Sequence, residues 1–316
     1  MKALFTYDYG KEQMDKIRAL GYKILHIKEN DIPDRQSEII DFDPNVIVCY
    51  NPFEHLPIEA LTNLKWIQLS SIGVDQVPVD RIVNRGIVIT NNRGGYSIPM
   101  GEWIVFQMLH HYKYGQYFHQ IKSEKRWKVN THVRELTHRK ALFIGTGTIA
   151  SEAAKRLSGY DLTRIGINTD GREVPYFDKC YPMTALDEVL SEMDFIILTI
   201  PYTKKTEGLI CKERLSLIKE DAVLINVARG NLIIESDLIE ALDQGKFLGV
   251  SLDVFEKEPL EVHNKLWSFD RVMVTPHNSW ISEMRNVRRF DLIYNNLKAF
   301  CQESELENQV DLNKGY

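Results

Sequence analysis

The sequence predicts an α/β fold with two successive series of parallel strands and helices. Two observations carry this. Short apolar, β-branched runs alternate with stretches of helical spacing through the first hundred residues, and a second such alternation starts at Lys140. Strands separated by helices form βα units and a parallel sheet rather than hairpins. The length of 316 residues suits about two domains of roughly 100–200 residues each.

In the first series, 3–7 is a β-rich run and 11–20 has helical spacing that stops at Gly21, a good C-terminal breaker. Further strands are expected at 22–27, 46–50, 64–69 and 87–90. One long helix is expected from 100 to about 120, with Trp103, Phe106, Tyr112, Tyr114, Tyr117 and Phe118 along it. Aromatic residues are enriched at subunit interfaces, and the same pattern serves a core or inter-domain helix. In the second series, strands are expected at 141–144, 162–168, 195–200, 223–227, 247–252 and 272–274. Helices are expected at 151–157, 185–191, 235–242 and 282–300. The continuous apolar character of these strands fits a sheet covered on both faces.

The composition is that of a globular protein, with 44% hydrophobic and 26% charged residues. A formal net charge of −5 without a lysine-arginine block argues against a nucleic-acid binder, which carries a basic stripe. Cys49, Cys180, Cys211 and Cys301 are scattered, and none forms a CxxC pair, so neither a zinc site nor any other metal is expected. Reduced thiols and a cytoplasmic location are the simpler expectation. The amino-terminal residues lack the apolar core of a signal peptide, and no run of about 18 apolar residues marks a membrane span.

Gly145-Thr146-Gly147-Thr148-Ile149-Ala150 matches G-x-G-x-x-G/A between a strand and a helix. The first glycine permits a tight turn and the second lets the backbone approach a pyrophosphate. The small third residue lets helix and strand pack closely, and the helix N-terminus faces the phosphates. The next strand is expected to end in an acid that bonds the adenosine ribose, about 20 residues on. Asn168 stands there, followed by Thr169 and, further on, Arg172. All three can donate to a 2′-phosphate, which tilts the cofactor toward NADP over NAD. In the alternative, Asp170 or a water serves the ribose and NAD binds.

With these residues in view, the chain resembles the D-isomer-specific 2-hydroxyacid dehydrogenases from about residue 45 to 300. Leu64-Lys65-Trp66-Ile67-Gln68 followed by Ser71-Ile72-Gly73-Val74-Asp75 is similar to the family's substrate loop, and Asp194 to Pro201 with Thr203 and Thr206 to its Pro-x-Thr turn. Leu224 to Gly230 matches the arginine motif, Leu252 to Leu260 the acid motif, and Val274-Thr275-Pro276-His277 the histidine motif. The resemblance implies two Rossmann-like or flavodoxin-like domains with parallel sheets. The nucleotide domain, 100–278, is inserted into a substrate domain of 1–99 and 279–316, with the active site in a cleft between them.

The roles carried over are those that reduction of a 2-oxo acid needs. Arg229, following an apolar strand, would hold the substrate carboxylate and polarise the carbonyl. His277 would give the proton, with Glu258 fixing its tautomer and keeping a proton on the ring. Asp253 would bond the nicotinamide carboxamide. Thr148 and Ile149 would meet the pyrophosphate, and Ile200, Val227 and Ala228 would line the cofactor site. Backbone amides at Ile72 and Gly73 would hold the substrate carboxylate, though the family commonly has a smaller residue where Ile72 stands. Trp280 would wall the pocket. The implied function is interconversion of a small 2-oxo acid, such as glyoxylate or hydroxypyruvate, and its D-2-hydroxy acid, by a homodimer joined through the aromatic helix. The alternative is a cofactor-sensing binding protein of the corepressor type, without physiological turnover.

Overall fold

The computed structural model describes residues 1–312, 314 and 315. The chain divides into two compact units, Met1–Tyr96 with Ser282–Tyr316, and Ser97–Ile281. The first unit is therefore built from both ends of the chain and the second from its middle.

The first unit opens with β1 (Lys2–Phe5), α1 (Lys11–Ala19), β2 (Lys23–His26), α2 (Gln36–Phe42), β3 (Val46–Cys49), β4 (Trp66–Leu69), α3 (Val79–Ile82) and β5 (Val88–Thr90). Its five strands are all parallel, in the order β2-β1-β3-β4-β5.

The second unit runs through α4 (Ser97–Tyr112), α5 (Gly115–Ser123), β6 (Lys140–Ile144), α6 (Thr148–Leu157), β7 (Thr163–Asn168), β8 (Lys179–Pro182) and α7 (Leu186–Leu190). It continues with β9 (Phe195–Leu198), α8 (Lys212–Leu217), β10 (Val223–Asn226), α9 (Glu235–Asp243), β11 (Gly249–Leu252) and β12 (Val272–Val274). Its seven strands are also parallel, in the order β12-β11-β10-β9-β6-β7-β8. The chain moves outward from β6 in one direction and returns to build β9 on its other side. That reversal opens a crevice at the carboxyl ends of β6 and β9, where sheets of this kind bind ligands.

The first unit is completed by α10 (Arg285–Cys301). The period of two along its strands sends alternate side chains to opposite faces. Leu4, Ile47 and Ile67 face one apolar cluster. Ala3, Phe5, Val46, Val48 and Trp66 face another, closed by Phe290, Ile293 and Leu297 of α10. Trp66 is fully buried, and its Nε1 donates to Thr90 Oγ1 at 2.8 Å. Thr90 in turn donates to Gln68 Oε1, which also accepts from Asn296. Buried polar groups tied in a satisfied chain like this specify one arrangement of the core.

The parallel α/β architecture matches the expectation from sequence, and the structure differs from it in detail. The single helix expected over 100–120 is two helices. Tyr112 is fully buried against Phe195, with ring centroids 4.4 Å apart, and the chain turns at Tyr114, whose φ is 55°. The left-handed residue Tyr114 separates α4 from α5. A strand that the sequence does not predict, β8, forms the edge beside β7; it is short, half-exposed, ends in proline and lacks an apolar run. The strands expected at 195–200 and 223–227 stop at Leu198 and Asn226, so Ile200 and Val227 belong to loops. Among the described residues no helix is long and apolar enough to cross a membrane.

Candidate active site

The glycine loop lies between β6 and α6. Gly145 has a φ of 98°, and a Cβ there would come within 2.7 Å of the Ile200 nitrogen. Thr199 Oγ1 donates to the Gly145 carbonyl at 2.8 Å. The loop after β9 therefore presses directly on the glycine turn across the crevice, which a side chain would prevent. Gly147 caps α6, and a Cβ built on it meets nothing within 4 Å. The space before this helix end is open, and the first-turn amides of a helix have no partners within it. Thr148 begins α6, its hydroxyl held by Ser97 at 2.8 Å, and Ile149 follows. These features fit a nucleotide pyrophosphate.

At the end of β7, the Asn168 side chain is engaged by its own turn. Its amide donates to Thr146 Oγ1 at 3.2 Å and to the Arg172 carbonyl at 2.8 Å, while its oxygen accepts from Gly171 N at 2.7 Å. Thr169 is exposed. Arg172 pairs with Asp170 at 2.8 Å, both exposed. The Arg172 guanidinium holds the Asp170 carboxyl below its ordinary range.

The carboxyl ends of β10, β11 and β12 carry the remaining candidates. Asn226 closes β10 and shapes the turn after it, donating to the Arg229 carbonyl at 2.8 Å and accepting from Ala228 N at 3.0 Å. Val227 is buried and Ala228 half-buried in this turn. Arg229 donates to the Ala228 carbonyl at 2.8 Å. A Cβ on Gly230 would overlap the backbone of Phe255 and Glu256. The missing side chain lets the arginine turn press against the segment leading to Glu258. The only trace of that contact in the sequence is the Arg-Gly pair.

Glu258 joins three pieces of the site. One oxygen accepts from Phe255 N at 3.0 Å, and the other lies 2.9 Å from His277 Nδ1. Burial works against ionisation of this carboxyl. The hydrogen bonds from His277 and Phe255 and the charges of His277 and Arg229 oppose burial and hold its pKa below the ordinary value.

His277 has a φ of 50°, a left-handed conformation uncommon outside glycine and held only where surroundings fix it. Asp253 provides much of that fixing. Its side chain is 2% exposed and accepts from Thr275 Oγ1 at 2.6 Å, Asn278 N at 2.8 Å and Ser279 N at 2.9 Å. Its carbonyl accepts from His277 N at 2.8 Å. Trp280 Nε1 donates to the His277 carbonyl at 2.9 Å. No local pattern in the sequence marks Asp253 as the organiser of this loop.

The second unit thus brings Arg229, Glu258, His277 and Asp253 to one end of its sheet, the end that also carries the glycine loop. Ile72 and Gly73 lie in the first unit, in the loop after β4. Asn91 Nδ2 donates to the Ile72 carbonyl at 2.8 Å, and Ser71 Oγ to the Gly73 carbonyl at 2.8 Å. Among the described residues no group of three or more His, Cys, Asp or Glu could hold a metal ion.

Known proteins share this architecture. Residues 105–279 match the family described as D-isomer specific 2-hydroxyacid dehydrogenase, NAD binding domain. A glyoxylate reductase of Thermofilum pendens is 30% identical over 285 residues, 87% of this chain and 84% of its own. A D-3-phosphoglycerate dehydrogenase of Archaeoglobus fulgidus is 28% identical over 88% of this chain, which spans only 53% of that relative. A D-isomer specific 2-hydroxyacid dehydrogenase from Xanthobacter autotrophicus Py2, solved with NADPH and MES, superimposes with a TM-score of 0.84 at 26% identity, over 100% of this chain and 99% of that one. The chain belongs to the D-isomer specific 2-hydroxyacid dehydrogenase family and is an NAD(P)-dependent oxidoreductase.

Proposed function

We propose that this enzyme interconverts a small 2-oxo acid and its D-2-hydroxy acid, with Arg229 holding the substrate and His277 moving the proton. The observation that carries the proposal is the 2.9 Å contact between His277 Nδ1 and Glu258. A carboxylate on Nδ1 fixes the proton there and leaves Nε2 to meet the substrate oxygen. In reduction, a proton on Nε2 passes to the carbonyl oxygen as C2 becomes tetrahedral; in oxidation, neutral Nε2 takes the hydroxyl proton. Arg229 binds the carboxylate and carbonyl oxygen in a fixed planar geometry and stabilises the charge that grows on that oxygen. Amides of Ile72 and Gly73 take the carboxylate as well.

The nicotinamide nucleotide supplies or accepts the hydride. Gly145, Gly147, Thr148 and Ile149 hold its pyrophosphate, and Ile200, Val227 and Ala228 line its site. Asp253 acts first as a positioning residue for His277. Its Oδ2 accepts the Ser279 amide and, with two lone pairs on a carboxylate oxygen, can take the carboxamide as well. NADP is preferred, since no carboxylate stands at Asn168 to repel a 2′-phosphate and the exposed Arg172 can exchange Asp170 for it. A homodimer forms through the aromatic segment at about 100–120, where Phe106 and Phe118 are exposed; a monomer at micromolar concentration by light scattering refutes this.

The test is consumption of NADPH and NADH by the purified protein on glyoxylate, hydroxypyruvate and other small 2-oxo acids. Turnover that falls about 10³-fold in Arg229→Ala supports the reading. An unimpaired Arg229→Ala removes that residue from the mechanism. Cofactor binding without turnover of any 2-oxo acid favours a cofactor-sensing protein.

A further inference from the structure

The loop after β4 holds two adjacent amides without a protein partner. Among the described residues neither Ile72 N nor Gly73 N donates to another group. Both residues are half-buried, and a folded chain leaves few amides unpaired away from water. The carbonyls beside them are each engaged. Asn92 N donates to the Ser71 carbonyl at 2.8 Å, and Asn91 Nδ2 to the Ile72 carbonyl at 2.8 Å. Ser71 Oγ accepts from Gln76 Nε2 at 2.8 Å and donates to the Gly73 carbonyl at 2.8 Å.

A trans peptide holds its C=O and N–H on opposite sides of one plane, and both peptides here are trans. The Ser71 carbonyl shares a peptide with Ile72 N, and the Ile72 carbonyl shares one with Gly73 N. Tying both carbonyls to the turn at 91–92 therefore aims both amides away from that turn. Successive amides aimed to one side form a concavity that binds an anion. The tie at Ser71 is main chain to main chain. The tie at Ile72 depends on one side chain, Asn91, which is 7% exposed. Asn91 is itself fixed from the far end of the chain. Its N donates to the Asn308 carbonyl at 3.1 Å, and its Oδ1 accepts from Arg93 N at 3.1 Å. Asn308, left-handed with a φ of 59°, donates through Nδ2 to the Arg93 carbonyl at 2.8 Å.

We infer that Asn91 is a positioning residue for the substrate carboxylate. It aims the Gly73 N–H, and Asn308 holds Asn91 in place. The inference rests on the proposal that the Ile72 and Gly73 amides take that carboxylate. Without the Asn91 side chain the peptide between Ile72 and Gly73 is free to turn over, and only the Ile72 N–H stays aimed.

The experiment reads binding as well as turnover, on the full chain. Oxamate, an unreactive carboxylate, is titrated calorimetrically with saturating NADPH or NADH, and KM is measured for the 2-oxo acid turned over best. Asn91→Ala should raise the oxamate Kd and that KM about 10-fold, the worth of a hydrogen bond to a charged group. kcat should change less than KM, and the cofactor Kd should be unchanged. Asn91→Asp keeps the acceptor for Arg93 N but loses the donor to Ile72, and should show the same loss. A loss in Asn91→Asp alone is charge repulsion and overturns the inference. Wild-type oxamate affinity in both variants overturns it too, whatever happens to Tm. Asn308→Gly keeps the left-handed backbone and removes only the side-chain ties, so both constants should rise about threefold. Should the Asn91 variants fail to fold, Asn308→Gly decides, and unchanged constants overturn the inference. A wild-type chain that neither binds oxamate nor turns over any 2-oxo acid refutes the 2-oxo acid reading itself, and the inference with it.

Discussion

The two sheets offer the same kind of crevice and treat it in opposite ways. In the first unit the reversal falls between β1 and β3, and Glu29 fills it. Its carboxylate accepts from Thr6 Oγ1 at 2.9 Å, Tyr50 N at 2.6 Å and Asn51 N at 3.0 Å. In the second unit the reversal falls between β6 and β9, and no side chain stands before Gly147. Donors at a switch point favour an anion. One unit supplies that anion from its own sequence, and the other leaves the place for a nucleotide. Fold alone does not decide which crevice is functional; one glutamate and one glycine do.

That contrast can be broken experimentally. The largest effect is expected at the strand ends of the second unit, where His277→Ala should lower kcat by about 10²–10⁴-fold with little change in Tm. Equal losses of stability and turnover would make His277 a structural residue like Glu29. Next is Gly230→Ala, whose Cβ cannot coexist with the Phe255 backbone. Displacing the Arg229 turn by about an ångström should cost about 10²-fold in kcat/KM, and steady-state kinetics would detect it. In the first unit, Glu29→Ala leaves three donors without their acceptor and should cost about 1–3 kcal/mol in denaturant unfolding. NADPH affinity should be unaffected; if it falls, the filled crevice is not independent of the open one.

The smallest effect sharpens the comparison through pH. Burial lowers His111 to about 3, with neighbouring His110 adding to the shift. The unfolded chain takes up this proton below about pH 6.5, whereas the folded chain refuses it until about pH 3. Stability therefore falls as pH drops through that window. The second unit should lose Tm as the medium is acidified from neutrality, and His111→Gln should flatten the slope. Glu258, whose folded pKa is lowered, adds stability present above its unfolded pKa that is lost only as pH falls below the ordinary carboxylate range. It stays ionised beside His277 at neutral pH.

Much of this is legible in the sequence. The parallel α/β architecture follows from apolar runs at regular spacing, and the glycine loop from its place between strand and helix. What escapes depends on contacts between distant residues. Nothing local to Asp253 says that it holds the turn at His277, because its partners lie 22 to 26 residues on. Glu29 reads as an ordinary exposed acid until β1 and β3 are placed side by side. At Asn168, too, the residue type hides a contact: its amide donates to Thr146 and to the Arg172 carbonyl within its own turn.

Building the first unit from both chain ends has a consequence for biosynthesis. Phe290, Ile293 and Leu297 share a core with Ala3, Phe5 and Trp66, and Val310 N bonds the Ile89 carbonyl beside β5. The nascent chain thus delivers β1 to β5 to the cell long before the helix and segment that cover them. The second unit is contiguous, and all its strands emerge from the ribosome before α10 does. Domains fold as units once their parts are available. The amino-terminal sheet, made first, is therefore closed last, and its uncovered face and β5 edge are the surfaces a chaperone would find during synthesis.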